Sequence, residues 1–89
     1  MKKIRKKVWP VFFRSILAGD KNFELRLNDF ECRIGDVLIL EEWNPETQKY
    51  TGRVLVKKVG YVLKLNPHKV PFWPKKEIKK HGLQIISLK

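Results

Sequence analysis

One stretch of this chain places its large apolar side chains at helical spacing. Trp9, Phe12, Phe13, Ile16 and Leu17 fall at i, i+3, i+4, i+7 and i+8, the stripe that lets a helix bury one face. Pro10 stands at the first helical position, where its missing N–H leaves no bond unmade. Gly19 follows the last apolar turn, where a left-handed cap favours glycine. The spacing predicts a helix of about ten residues with Arg14, Ser15 and Ala18 on its polar side. The residues after it change period from 3.6 to two. One helix set among about five strands cannot be wound into a parallel βαβ array. The expected fold is mainly β with one or two short helices (α+β): a small, curled, mostly antiparallel sheet with the helix packed at one end.

The strands read as follows. Lys2 to Val8 is basic and partly alternating, an edge or first strand. Phe23, Leu25 and Leu27 alternate with Asn22, Glu24 and Arg26, so the apolar set is expected to face the core. Asn28-Asp29 and Arg33 to Asp36 are turn signals. Val37 to Trp43 opens almost fully apolar and reads as a central strand. Asn44 to Gln48 is a hairpin loop, and Tyr50 to Lys64 a long return strand in which Gly52 and Gly60 mark bulges or bends. Pro67, Pro71 and Pro74 forbid regular structure between them. Pro74 is placed to start a short helix through Lys80, and Leu83 to Leu88 to form a closing strand.

The chain has 89 residues, the size of a single domain spanning 1–89. Its longest apolar runs are four or five residues, where a membrane helix needs about 20; a soluble, cytoplasmic protein is expected, with no membrane partner. Cys32 is the only cysteine, and His68 and His81 lie far apart. This excludes an internal disulfide and a cysteine-rich zinc site; no metal and no cofactor is expected. The formal net charge is +11, and it is unevenly spread. Residues 20–46 hold eight of the nine acids and three cations, a local −5, while the rest of the chain sums to +16. Such a field concentrates polyanions.

Gly19, Lys21, Glu24 and Arg26 spell G-x-K-x-x-E-x-R, and this run resembles the hallmark of ASCH domains. The likeness extends through Pro10 to Phe13, Gly19 to Asp29, Gly35 to Thr47 and Tyr50 to Arg53, in the manner of small ASCH-like domains of unknown function. The resemblance implies a PUA-like pseudo-barrel of about five to six strands with a helix between its first strands. It also implies a cleft beside the barrel, near Lys21, Glu24 and Arg26, that binds RNA or a nucleotide-like ligand. One branch of the family hydrolyses N4-acetylcytidine with a lysine at the position of Lys21, and ribonuclease activity has been proposed for another. The chain departs from its closer relatives at Phe30 and Cys32, where they usually carry arginine and phenylalanine. It departs from the amidohydrolase branch at Glu24, where that branch has threonine.

Three chemistries compete for the motif. Glu24 and Arg26 on the outside of a sheet form a surface ion pair, worth under about 1 kcal/mol. In a cleft, Arg26 offers a planar fork to a phosphate or base edge, Lys21 a point charge, and Glu24 an acceptor for a base amino group. As catalytic residues, Lys21 and Glu24 serve a hydrolase acting on a modified nucleoside or RNA. Arg26 beside Lys21 would help activate the lysine, while Glu24 works against it. Further contacts are expected from Tyr50 and Arg53 near the hairpin. In the late loop, Phe72 or Trp73 is placed to stack a base while Lys69, Lys75 and Lys76 track phosphates; the two aromatics serve equally well as a barrel plug. The leading expectation is an RNA- or nucleotide-binding module, with enzymatic activity, as an amidohydrolase or ribonuclease, left open. The alternatives are the small hydrolase and a protein-interaction module whose basic ends meet an acidic partner.

Overall fold

A computed structural model describes residues 1–65 and 75–89. Five strands and two short helices follow in the order β1 (Lys3–Val8), α1 (Pro10–Leu17), β2 (Phe23–Leu27), β3 (Val37–Asn44), β4 (Lys49–Leu65), α2 (Lys75–His81) and β5 (Leu83–Leu88). Hydrogen bonding runs β1-β3-β4-β5-β2 across one sheet. All neighbours are antiparallel except β1 and β3, which run parallel from Lys3↔Val37 to Val8↔Glu42. β3 is thus paired on both sides, which accounts for its apolar opening run. The fold is mainly β with two short helices, a small α+β pseudo-barrel.

β4 is long enough to belong to both halves of the sheet. It pairs with β3 through Lys58 and with β5 from Val59 onward. The ladder shifts register twice, between Glu41 and Trp43 opposite the Gly52 region, and between Val59 and Tyr61 across Gly60. Gly52 holds φ +94°, a conformation that side chains disfavour. These bulges curl the sheet until its two edge strands, β1 and β2, approach each other. No backbone hydrogen bond joins β1 to β2. The barrel therefore has a seam, and α1 is the connection between its two lips.

The core lies inside the curl: Val8, Phe13, Ile16, Cys32, Leu38, Leu40, Val59, Ile86 and Leu88, with Leu83 also buried. Each large side chain withdrawn from water contributes about 1.5–3 kcal/mol. Cys32 has taken a core position, and burial, reinforced by nearby Asp36, pushes its thiol up from the ordinary range. Phe30 packs against the same core with the Lys6 ammonium 3.8 Å from its ring centroid.

Two expectations about faces are corrected. Only Phe13 and Ile16 of the helical stripe are buried, while Trp9, Phe12 and Leu17 are about half exposed. A helix of eight residues set against one strand has too little surface above it to cover five large side chains. β2 is turned over: Phe23 is 48% exposed and Glu24 only 4%. The strand pairs with β5 alone, and the face bearing its charges looks into the seam.

Candidate functional site

The seam opens into a cavity of about 670 Å³ lined by Lys7, Val8, Trp9, Phe12, Lys21 and the β2 residues Phe23 to Arg26. Both lips of the barrel and the helix between them therefore contribute. Lys21 is delivered by the cap of α1. Gly19 takes φ +85°, and the N–H groups of Asp20 and Lys21 both return to the Ser15 carbonyl. That turn fixes the lysine at the cavity wall instead of leaving it in a free loop.

Glu24 is the centre of the site. Its carboxylate accepts from Lys21 Nζ at 2.9 Å through Oε1 and from Arg26 Nε at 2.9 Å through Oε2. Lys21 also donates to the Phe23 carbonyl at 2.8 Å. Arg26 reaches across the seam, its Nη2 donating to the carbonyl of Lys7. The glutamate side chain is 6% exposed, against 19% for Lys21 and 27% for Arg26. This is not the surface ion pair that a strand with Phe23 turned inward would carry. It is a sunk carboxylate holding two cations at the rim of a cavity. Among the described residues, Arg26 Nη1 meets no hydrogen-bond partner and each Glu24 oxygen accepts a single bond, which leaves capacity for something further.

Three aromatic rings surround these charges. Trp9 and Phe12 stack with centroids 6.5 Å apart and planes at 25°. The Lys21 ammonium lies 4.9 Å from the Phe23 centroid and 5.5 Å from that of Phe12. All three rings were expected in the core, and so were missed as site residues. The available signal was a helical stripe wider than one short helix buries.

Tyr50 and Arg53 lie outside the cavity. Arg53 is bound to Glu42, with Nε to Oε1 and Nη2 to Oε2 both at 3.0 Å, and its guanidinium sits 4.9 Å from the Phe13 ring. Thr51 Oγ1 adds a third bond to Glu42 at 2.5 Å. Arg53, then Thr51, hold the Glu42 carboxyl below the usual range against the opposing effect of burial. Sequence reasoning overlooked Glu42. Its signal was parity, because Leu38, Leu40 and Glu42 share the inward face of β3. Tyr50 is exposed and pairs with Trp43 across the hairpin. Lys69, Phe72 and Trp73 lie outside the described residues. Lys75 opens α2 and Lys76 is exposed beside it. Among the described residues, no group of three or more histidine, cysteine, aspartate or glutamate residues is placed to hold a metal ion, and no helix is long and apolar enough to cross a membrane.

Solved structures share this architecture. Hypothetical protein PH0355 aligns over 100% of this chain and 98% of its own, with TM-score 0.73 and 20% identity. ZmASCH from Zymomonas mobilis aligns as a serine-to-alanine mutant, over 99% of this chain and 68% of that one, with TM-score 0.69 and 13% identity. Its tyrosine-to-phenylalanine mutant aligns over 100% and 70%, with TM-score 0.68 and 13% identity. At such identities the likeness is one of fold, and the fold is ASCH-like. No curated protein matches the chain. A family model matches residues 5–71, from β1 past the end of β4, and the chain therefore belongs to the family described as Domain of unknown function (DUF3850).

Proposed function

We propose that the chain binds single-stranded RNA, or a ligand resembling a nucleotide, in the seam between β1 and β2. The observation that carries this reading is the buried Glu24 carboxylate, which presents Lys21 and Arg26 to a cavity walled by Trp9, Phe12 and Phe23. A nucleobase needs an apolar slot for its faces and polar groups at its edge, and its phosphate needs a cation. Base–aromatic stacking contributes about 1–3 kcal/mol per base. Arg26 offers N–H donors in a rigid plane suited to phosphate, and Glu24 accepts from a base amino group. The excess of positive charge brings the polyanion to the surface.

The hydrolase reading has less to support it. Lys21 Nζ already donates to the Glu24 carboxylate and to the Phe23 carbonyl, and Glu24 occupies the position where a threonine marks the amidohydrolase branch. Turnover of N4-acetylcytidine, abolished by Lys21→Ala, would reverse that judgement.

The test of binding is an amide chemical-shift titration with a short single-stranded RNA at low and moderate salt. Shifts centred on Gly19 to Arg26 and on Trp9, persisting at moderate salt, are expected. Shifts confined to the basic termini, and lost with salt, would leave only non-specific attraction and defeat the proposal.

A further inference from the structure

We propose that an RNA strand seated in the cleft leaves it over Lys7 and continues along the outer face of β1, its phosphates against Lys7, Arg5 and Lys3. The inference rests on the cleft reading and extends it from one nucleotide to a path.

The path follows from parity. Lys3, Arg5 and Lys7 are exposed, whereas Ile4, Lys6 and Val8 turn inward. Alternate residues of a strand lie about 6.5–7 Å apart, a spacing comparable to that of successive phosphates in an extended single strand. The row starts at the cavity. Lys7 lines it, and its carbonyl receives Arg26. The Lys7 ammonium reaches the outer face, 4.6 Å from the Trp43 centroid and 5.7 Å from that of Tyr50.

The neighbouring strands complete the surface. Register places Val37 and Ile39 of β3 beside Lys3 and Arg5, and sets Lys58 and Val56 of β4 beyond them. Val54, Val56 and Tyr50 are exposed on this face. The one carboxylate among these residues, Glu41, is paired with Arg5 at 3.5 Å. A row of cations, an apolar floor and an exposed tyrosine beside a tryptophan together suit a polyanion that also carries flat rings. Lysines on an edge strand also discourage pairing with another chain. That role needs charge along the strand, but not an aromatic pair at the end of the row nearest the cavity.

The test compares the full-length chain with the double variant Lys3→Ala/Arg5→Ala, using two probes. Adenosine monophosphate occupies only the cleft; a single-stranded adenosine decamer spans cleft and row. The double variant is expected to bind the monophosphate within twofold of the parent. Its decamer salt dependence, as log K against log salt, should be shallower by about 1.4, since each phosphate contact on a single strand contributes about 0.7. Tyr50→Ala should weaken the decamer roughly tenfold through lost stacking. An unchanged slope with the monophosphate still bound overturns the path along β1 and leaves the cleft reading standing. A monophosphate that does not bind, with the slope still lowered, overturns the cleft reading alone. Equal competition by poly-glutamate of matched length overturns the assignment of the row to nucleic acid and favours an acidic protein.

Discussion

Glu24 and Glu42 are each 4% exposed, and each is held by an arginine two or more positions along the chain. By burial and pairing they look alike. They differ in what remains unused. Glu42 accepts three bonds, from Thr51 and twice from Arg53, and the guanidinium lies against Phe13 in the core. Glu24 accepts two bonds, from cations that front a cavity lined by aromatic rings. A buried ion pair by itself is therefore weak evidence of a site. The informative features are unused hydrogen-bonding capacity and an apolar space beside it.

The comparison breaks if the two carboxylates can exchange roles. Glu42→Ala leaves Arg53 without its partner. Unfolding free energy in urea should fall by about 2–3 kcal/mol, below the usual figure for a buried pair because Arg53 is half exposed, and the melting midpoint by on the order of 10–20 °C. Below that midpoint, nucleotide affinity should stay within twofold; collapse of binding would make the Glu42 cluster part of the site. Arg26→Ala should show the reverse weighting. Affinity should drop about 30-fold, the loss of one charged hydrogen bond, with a smaller loss of stability of about 1–2 kcal/mol because Glu24 keeps Lys21. Trp9→Ala should cost roughly tenfold in affinity from lost stacking and under about 1 kcal/mol in stability, since half of the ring is already in water. Isothermal titration beside urea unfolding separates these outcomes.

The smallest effect expected is on acid stability. A carboxyl whose folded value lies below its unfolded one adds stability above the unfolded value, and that stability drains away as pH falls toward the folded value. Glu42 is of this kind, lowered by Arg53 and Thr51. Asp36 is too, lowered by the N–H groups of Lys2 and Arg33. Stability should stay nearly flat from neutral pH to about pH 5, then decline as the solution passes below the ordinary carboxylate values near pH 4. Glu42→Gln should flatten the upper part of that decline, visible in melts collected across the acid range. An unchanged acid limb would mean that Arg53 does not hold Glu42 as the geometry indicates.

Much of the architecture is legible in the sequence. Pro10 and Gly19 bracket α1, Gly52 and Gly60 mark the two register shifts, and the apolar opening of β3 belongs to a strand paired on both sides. These signals are local, and the backbone obeys them locally. What could not be read was direction. F-E-L-R-L reports that the two faces of β2 differ, but a period of two does not say which face turns inward. That depended on β2 becoming an edge at a seam, which only the order β1-β3-β4-β5-β2 decides. Trp9 and Phe12 stay exposed because α1 is too short, and set against too little of the sheet, to bury the whole stripe. The motif located Lys21, Glu24 and Arg26, but their burial and shared contacts could come only from the fold.

The absence of a backbone ladder between β1 and β2 has a mechanical consequence. Elsewhere around the barrel, neighbouring strands are fastened by rows of hydrogen bonds that must break together. Across the seam, the side-chain hydrogen bond among the described residues is that of Arg26 to the Lys7 carbonyl, and the covalent link is a short helix. The width of the cleft is accordingly set without the ladder that fixes the other neighbouring strands. Parting the lips would break none of the strand pairings, though it would disturb Val8, Phe13 and Ile16, which are buried beside the seam. A molecule that bridges the lips would supply the closure that the sheet itself lacks.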